Sequence, residues 1–177
     1  MTRIYTRSAK ETKNIAQALA REARDSTLHR PVVIALEGEL GAGKTTFSQG
    51  FAKALGVKEK VVSPTFVLMK FYAIPNDKKK SNKKYMVHVD CYRLDSPKEL
   101  MTLGLSDALH NTEAIILIEW ADRIKKNLPA YAIWIRFRYG KKEGERVIEI
   151  EQPKVSFPRK RESRIFKKKL DSRSSRE

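Results

Sequence analysis

A chain of 177 residues with 41% hydrophobic content can bury one core and is short for two domains. Nothing in it approaches the roughly 20 apolar residues that span a bilayer, residues 1–10 lack the apolar stretch of a secretory signal, and the single cysteine excludes an internal disulfide, so a cytoplasmic protein is expected. The net charge of +16 is local: residues 153–177 carry +7 and residues 75–85 carry +4, which leaves +5 for the other 141, so the excess is read as solvated charge and a role in steering RNA or other polyanions stays open.

Ser8 and Glu11 have the spacing of a capping box, and Thr12, Ile15, Ala16, Leu19 and Ala23 follow at helical intervals, which predicts a helix over 9–24. Val32-Val33-Ile34-Ala35-Leu36 is a continuous apolar run, the pattern of a strand covered on both faces of a parallel sheet. A glycine-rich stretch follows at once, and residues 45–55 read as a helix stopped by Gly56. Residues 66–73 and 85–90 read as two strands joined by a Lys-rich hairpin loop, 75–85, whose charges are expected to be solvated. Ser96-Pro97-Lys98-Glu99 opens a short helix. Residues 115–118 form a second buried strand, and 131–139 with 145–151 read as a closing hairpin. The expected fold is α/β of the P-loop NTPase type: a largely parallel central sheet flanked by helices, with antiparallel additions and a C-terminal hairpin. Residues 1–152 are expected to form that domain, and 153–177 a basic, disordered extension.

The stretch Gly38-Glu39-Leu40-Gly41-Ala42-Gly43-Lys44-Thr45 has the P-loop spacing, with a strand before it and a helix after it. Glycines let several backbone N–H groups converge on a phosphate, and the helix N-terminus adds its positive dipole end. Lys44 then places a cation at the β- and γ-phosphates, and the Thr45 hydroxyl is a Mg²⁺ ligand, which makes ATP and Mg²⁺ the expected cofactors. Such a site needs an acid at a neighbouring strand end. Glu119 and Asp90 both qualify. The uniformly apolar strand before Glu119 favours it as the metal residue and leaves Asp90 a role nearer the γ-phosphate. Which of the two orients the attacking water stays open. Thr65, in the turn Ser63-Pro64-Thr65, is a candidate γ-phosphate sensor. His29 and His110 read as surface residues, and Cys91 as a small buried one.

Four spaced segments carry a resemblance to a known family: the glycine loop through Thr46, Ser63-Pro64-Thr65-Phe66, His88-Val89-Asp90-Cys91-Tyr92-Arg93-Leu94 and Glu119-Trp120. Their order is similar to that in the TsaE family, bacterial ATPases of tRNA threonylcarbamoyladenosine biosynthesis, over about residues 5–150. The resemblance implies a small ATPase, weak alone and stimulated in a complex with TsaD and TsaB. That complex modifies the adenosine beside the tRNA anticodon, so contact with tRNA would be indirect. It also implies adenine contacts from the N-terminal helix, with Glu11 and Thr12 as candidates. Cys91 stands where the family has an aliphatic residue, and the Lys-rich hairpin tip and basic tail exceed the family's outline. A GTPase is disfavoured because the sole Asn-Lys, Asn82-Lys83, lacks the Asp that reads guanine. A small-molecule kinase would need an Arg-rich lid that no segment supplies. A nucleotide-dependent conformational switch shares every motif with the ATPase and is separated from it only by turnover.

Overall fold

The structure is a computed structural model that describes residues 1–75 and 81–153. Seven strands form one sheet in the order β1-β7-β6-β2-β5-β4-β3. The strands are β1 (Thr2–Thr6), β2 (Val32–Gly38), β3 (Met69–Ala73), β4 (Tyr85–Asp90), β5 (Ala114–Glu119), β6 (Ile133–Tyr139) and β7 (Arg146–Glu151). The central four, β6, β2, β5 and β4, run parallel, while β1, β7 and β3 pair antiparallel at the two edges. This is the predicted mixture of a parallel core and antiparallel additions.

Helices cover both faces, which is why β2 and β5 read as unbroken apolar runs. Ile34, Leu36, Ile115 and Leu117 point to one face and pack with α1 (Ala9–Arg24) and α2 (Lys44–Leu55). Val33, Ala35, Ile116 and Ile118 point to the other and pack with α3 (Pro97–Thr102), α4 (Leu105–His110) and a kinked 3-10 stretch, Ala121–Asn127. Each of these eight side chains is at most 1% exposed, and each Leu or Ile contributes roughly 1.5–3 kcal/mol by leaving water. Among the described residues no helix is long and apolar enough to cross a membrane.

Local signals placed most boundaries within two or three residues. The strand expected from residue 66 begins at Met69 instead. Val67 N–H closes a turn on the Pro64 carbonyl at 3.0 Å, and Leu68 takes a left-handed φ of 58°. The strand expected from 131 begins at Ile133, because Ala132 N–H turns back to the Pro129 carbonyl at 2.9 Å. At the first capping box, Ser8 Oγ accepts from Glu11 N–H at 3.2 Å, but the Glu11 carboxylate accepts from Arg7 N–H, one residue further out. β1, α4 and the 3-10 stretch were not anticipated. β1 pairs with β7, some 140 residues away, so nothing adjacent in sequence announces it.

The Lys-rich connection between β3 and β4 corrects one expectation. Residues 76–80, and all of 154–177, lie outside the described residues. Lys83, however, is not solvated: it is 1% exposed, and its ammonium donates to the carbonyls of Arg30 (2.8 Å) and Thr112 (2.5 Å). The side chain thus ties the chain entering β4 to the segments that lead into β2 and β5. Burial pushes the Lys83 ammonium down to about 8, against the raising influence of Glu113. Lys83→Met should cost about 2–4 kcal/mol at neutral pH, because the carbonyls lose a charged donor inside the protein. Because its folded value lies below its unfolded one, the unfolded chain binds more protons between about pH 8 and 10.5. Wild-type stability should therefore rise across that window relative to the variant, which chemical denaturation at several pH values would show.

Candidate functional site

The glycine loop joins the C-terminal end of β2 to α2 and sits against the β6–β7 hairpin. Gly38 has φ 148°, and a Cβ there would lie 2.5 Å from the Phe137 carbonyl oxygen, so no other residue fits. Gly43 has φ 108° at the N-cap of α2 and lets the chain turn into the helix. Four consecutive loop carbonyls are engaged by side-chain donors. Lys44 Nζ bonds those of Gly38 (2.7 Å) and Glu39 (2.8 Å), the Tyr139 hydroxyl bonds that of Leu40, and Arg146 bonds that of Gly41 at 3.1 Å. With the carbonyl oxygens held by cations and a hydroxyl, the loop and the N-terminus of α2 present a positive potential to the adjoining cleft.

That cleft has a volume of about 370 Å³. Its lining includes Leu40, Gly41, Gly43, Lys44, Thr45 and Thr46 from the loop side, and Thr65, Asp90 and Glu119 opposite. The two acids pair in register at the ends of β4 and β5, so both reach the same edge of the sheet. Their partners differ. Glu119 is 1% exposed, and its Oε2 accepts from the Thr45 hydroxyl at 2.7 Å. Its Oε1 accepts from Ser48 Oγ at 2.7 Å and lies 2.9 Å from His88 Nε2. Asp90, 2% exposed, accepts through Oδ2 from the hydroxyls of Ser63 and of Thr65, the latter at 2.7 Å, and through Oδ1 from Tyr92 N–H at 2.8 Å. One carboxylate thus belongs to the helix that follows the glycine loop, and the other to the turn before β3.

Lys44 is 4% exposed, and its ammonium rests 3.7 Å from the centroid of the Trp120 ring. Burial lowers its pKa, and the charges of Glu119, Asp90 and Asp122 push the other way. Trp120 follows Glu119 directly with a left-handed φ of 57°, a conformation rare outside glycine and frequent at functional sites. Its ring also packs on Tyr92, with centroids 5.1 Å apart. Arg93 lies over the exposed Phe66 ring at the rim of the same cleft.

The structure therefore brings Lys44, Thr45, Thr46, Thr65, Asp90 and Glu119 into one cleft. Ala42 turns into the core, where it is fully buried, and Gly38 and Glu39 contribute carbonyls to Lys44. Glu11 and Thr12 do not line the cleft. The Glu11 carboxylate is held by Arg7 N–H, and buried Thr12 bonds the Thr6 hydroxyl at 3.2 Å, behind Gly43. Sequence reasoning missed Ser48 and His88 as members of the cluster. Ser48 could have been found three residues after Thr45, on the same helical face, and His88 two residues before Asp90, on the same strand face. His29 and His110 are exposed and Cys91 is fully buried, as expected; burial pushes the Cys91 thiol up to about 12, which leaves it unreactive.

Comparison with known proteins gives the family. Residues 6–148 match the family model for threonylcarbamoyl adenosine biosynthesis protein TsaE. A tRNA threonylcarbamoyladenosine biosynthesis protein TsaE from Treponema pallidum is 32% identical over 136 residues, which cover 77% of this chain and 90% of that protein. The Bacillus subtilis protein of the same name is 40% identical over 124 residues, 70% of this chain and 69% of its own length. The Nostoc protein is 36% identical over 153 residues, 85% of each chain. In three dimensions the fold is similar to the crystal structure of Bacillus subtilis YdiB, with a TM-score of 0.66 and 29% identity over 98% of this chain and 95% of that one. On the match across residues 6–148 and these relatives, the chain belongs to the TsaE family.

Proposed function

We propose that this protein is the ATP-binding and ATP-hydrolysing subunit for threonylcarbamoylation of the adenosine next to the tRNA anticodon, acting in the cytoplasm with TsaD and TsaB. The observation that carries the reading is the convergence of Lys44, Thr45 and Glu119 at the mouth of a glycine loop between β2 and α2. The names of the relatives supply the pathway. Among the described residues no group of three or more His, Cys, Asp or Glu could hold a metal alone. The Thr45 hydroxyl and Glu119 carboxylate are hard oxygen donors, and one or two of these beside phosphate oxygens suit Mg²⁺. Bound with the nucleotide, Mg²⁺ would offset charge that develops on the phosphates.

The chain's own residues do the rest. Backbone amides of residues 41–46 bind the phosphates, and Lys44 moves from its carbonyl partners to the β- and γ-phosphates. Thr45 and Glu119 would hold the metal. Asp90, steadied by Ser63 and Thr65, orients the water for in-line attack, and Thr65 senses the γ-phosphate. Residues 1–152 constitute the ATPase domain, and 153–177 an extension it does not need.

Steady-state ATP hydrolysis should be slow for the chain alone, rise at least tenfold with TsaD and TsaB, and vanish in EDTA, a range of rates ordinary for assisted P-loop enzymes. A chain ending at residue 152 should give the same rates. Negligible turnover with both partners present would favour a nucleotide-driven switch over an ATPase.

A further inference from the structure

We infer that His88 and Ser48 are positioning residues for Glu119: together they saturate one carboxylate oxygen and so present the other, beside Thr45, to the metal of a bound nucleotide. This rests on the reading of Glu119 as the metal-side acid.

His88 lies on β4 with no solvent exposure. Its Nε2 is 2.9 Å from Glu119 Oε1, and because an ionised carboxylate only accepts, Nε2 carries the proton. Its Nδ1 is buried and has no hydrogen-bond partner among the described residues. A histidine kept for packing would be expected to satisfy both nitrogens or give way to an apolar side chain. Among the described residues the single polar attachment of the ring is to Glu119.

Ser48 supplies the second half of the clamp. Its hydroxyl is 2.7 Å from Glu119 Oε1 and 3.1 Å from the Lys44 carbonyl. A hydroxyl has one proton, and the shorter, charge-assisted contact takes it. Two donors therefore converge on Oε1, as many as its two lone pairs accept. Among the described residues Oε2 accepts from Thr45 alone, at 2.7 Å. A cation can address Glu119 only through Oε2, on the side where Thr45 also stands. The clamp spans α2, β4 and β5, so packing of the rigid layers, rather than the glycine loop, sets the direction of the carboxylate.

The test is calorimetry of a non-hydrolysable ATP analogue, titrated at several Mg²⁺ concentrations and in EDTA. Against wild type, His88→Leu and Ser48→Ala should each raise the Mg²⁺ midpoint about tenfold and leave affinity in EDTA within about twofold, the scale of outer-shell effects on metal sites. His88→Gln, whose amide can return an N–H to the place of Nε2, should recover most of the shift. Unchanged midpoints in folded variants would overturn the inference, as would an equal loss of affinity with and without Mg²⁺. If His88→Leu does not fold, Ser48→Ala decides by the same criteria. Glu119→Gln in the same assay separates the two levels. A shift in Glu119→Gln without one in the clamp variants defeats the clamp alone; no shift in Glu119→Gln defeats the metal-side reading and the clamp with it.

Discussion

Lys44→Ala should weaken ATP binding by about 100-fold or more, roughly 3 kcal/mol, and abolish measurable turnover. The size of the effect follows from where the ammonium sits. It is nearly buried, burial lowers its pKa, and its partners are two main-chain carbonyls and the face of an indole ring. None of these carries a full negative charge, so a polyphosphate is a far stronger partner, and Lys44 can exchange the carbonyls for it at small cost. The variant also loses two contacts that hold the loop, so its melting temperature should be recorded alongside its affinity. Calorimetry that shows wild-type affinity in a folded Lys44→Ala protein would remove the assignment of the phosphate site.

Asp90→Asn is the second large effect. Turnover should fall about 100-fold, the lower end of what a positioned acid–base group supplies, while ATP affinity changes by less than about threefold. Asparagine is the informative replacement. Its carbonyl can still accept from Tyr92 N–H, and the hydroxyls of Ser63 and Thr65 can rotate to suit an amide, so the turn before β3 stays anchored. What is lost is the negative charge. Measured as kcat and Kd separately, equal losses in both would reassign Asp90 from water orientation to nucleotide binding.

The different partners of the two acids were not visible in the linear chain. Asp90 and Glu119 each end a strand of similar length, and the strands pair in register, so distance along the sequence cannot rank them. The apolarity of β5 matches its place inside the sheet, but β4 lies inside it too, so neither position says which acid meets Thr45. The direct reason is the placement of α2 over that face, which brings Thr45 and Ser48 down onto one carboxylate. The same docking enlists His88, whose identity alone says nothing about whether it will meet solvent or a buried acid.

Lys83 makes the point from the other side. In a run where Lys78, Lys79 and Lys80 are separated from Lys83 and Lys84 by only Ser81 and Asn82, composition describes all five alike. Lys84 is partly exposed and pairs with Glu113, whereas Lys83 is enclosed by main-chain carbonyls from two distant segments. Only the meeting of those segments at the starts of β2 and β5 creates the cage.

By itself the sequence determined what depends on neighbours a few residues apart. The glycine loop was legible because its glycines must take backbone angles that other residues resist, and because a strand and a helix must flank it. The buried parallel strands were legible because a sheet covered on both faces demands apolar residues at every position. Tertiary structure alone decided the antiparallel β1 edge, the acid that meets Thr45, and the clamp of His88 and Ser48 on Glu119. Those contacts join residues 31 or more positions apart, and hydrogen bonds over such separations leave no periodicity to read.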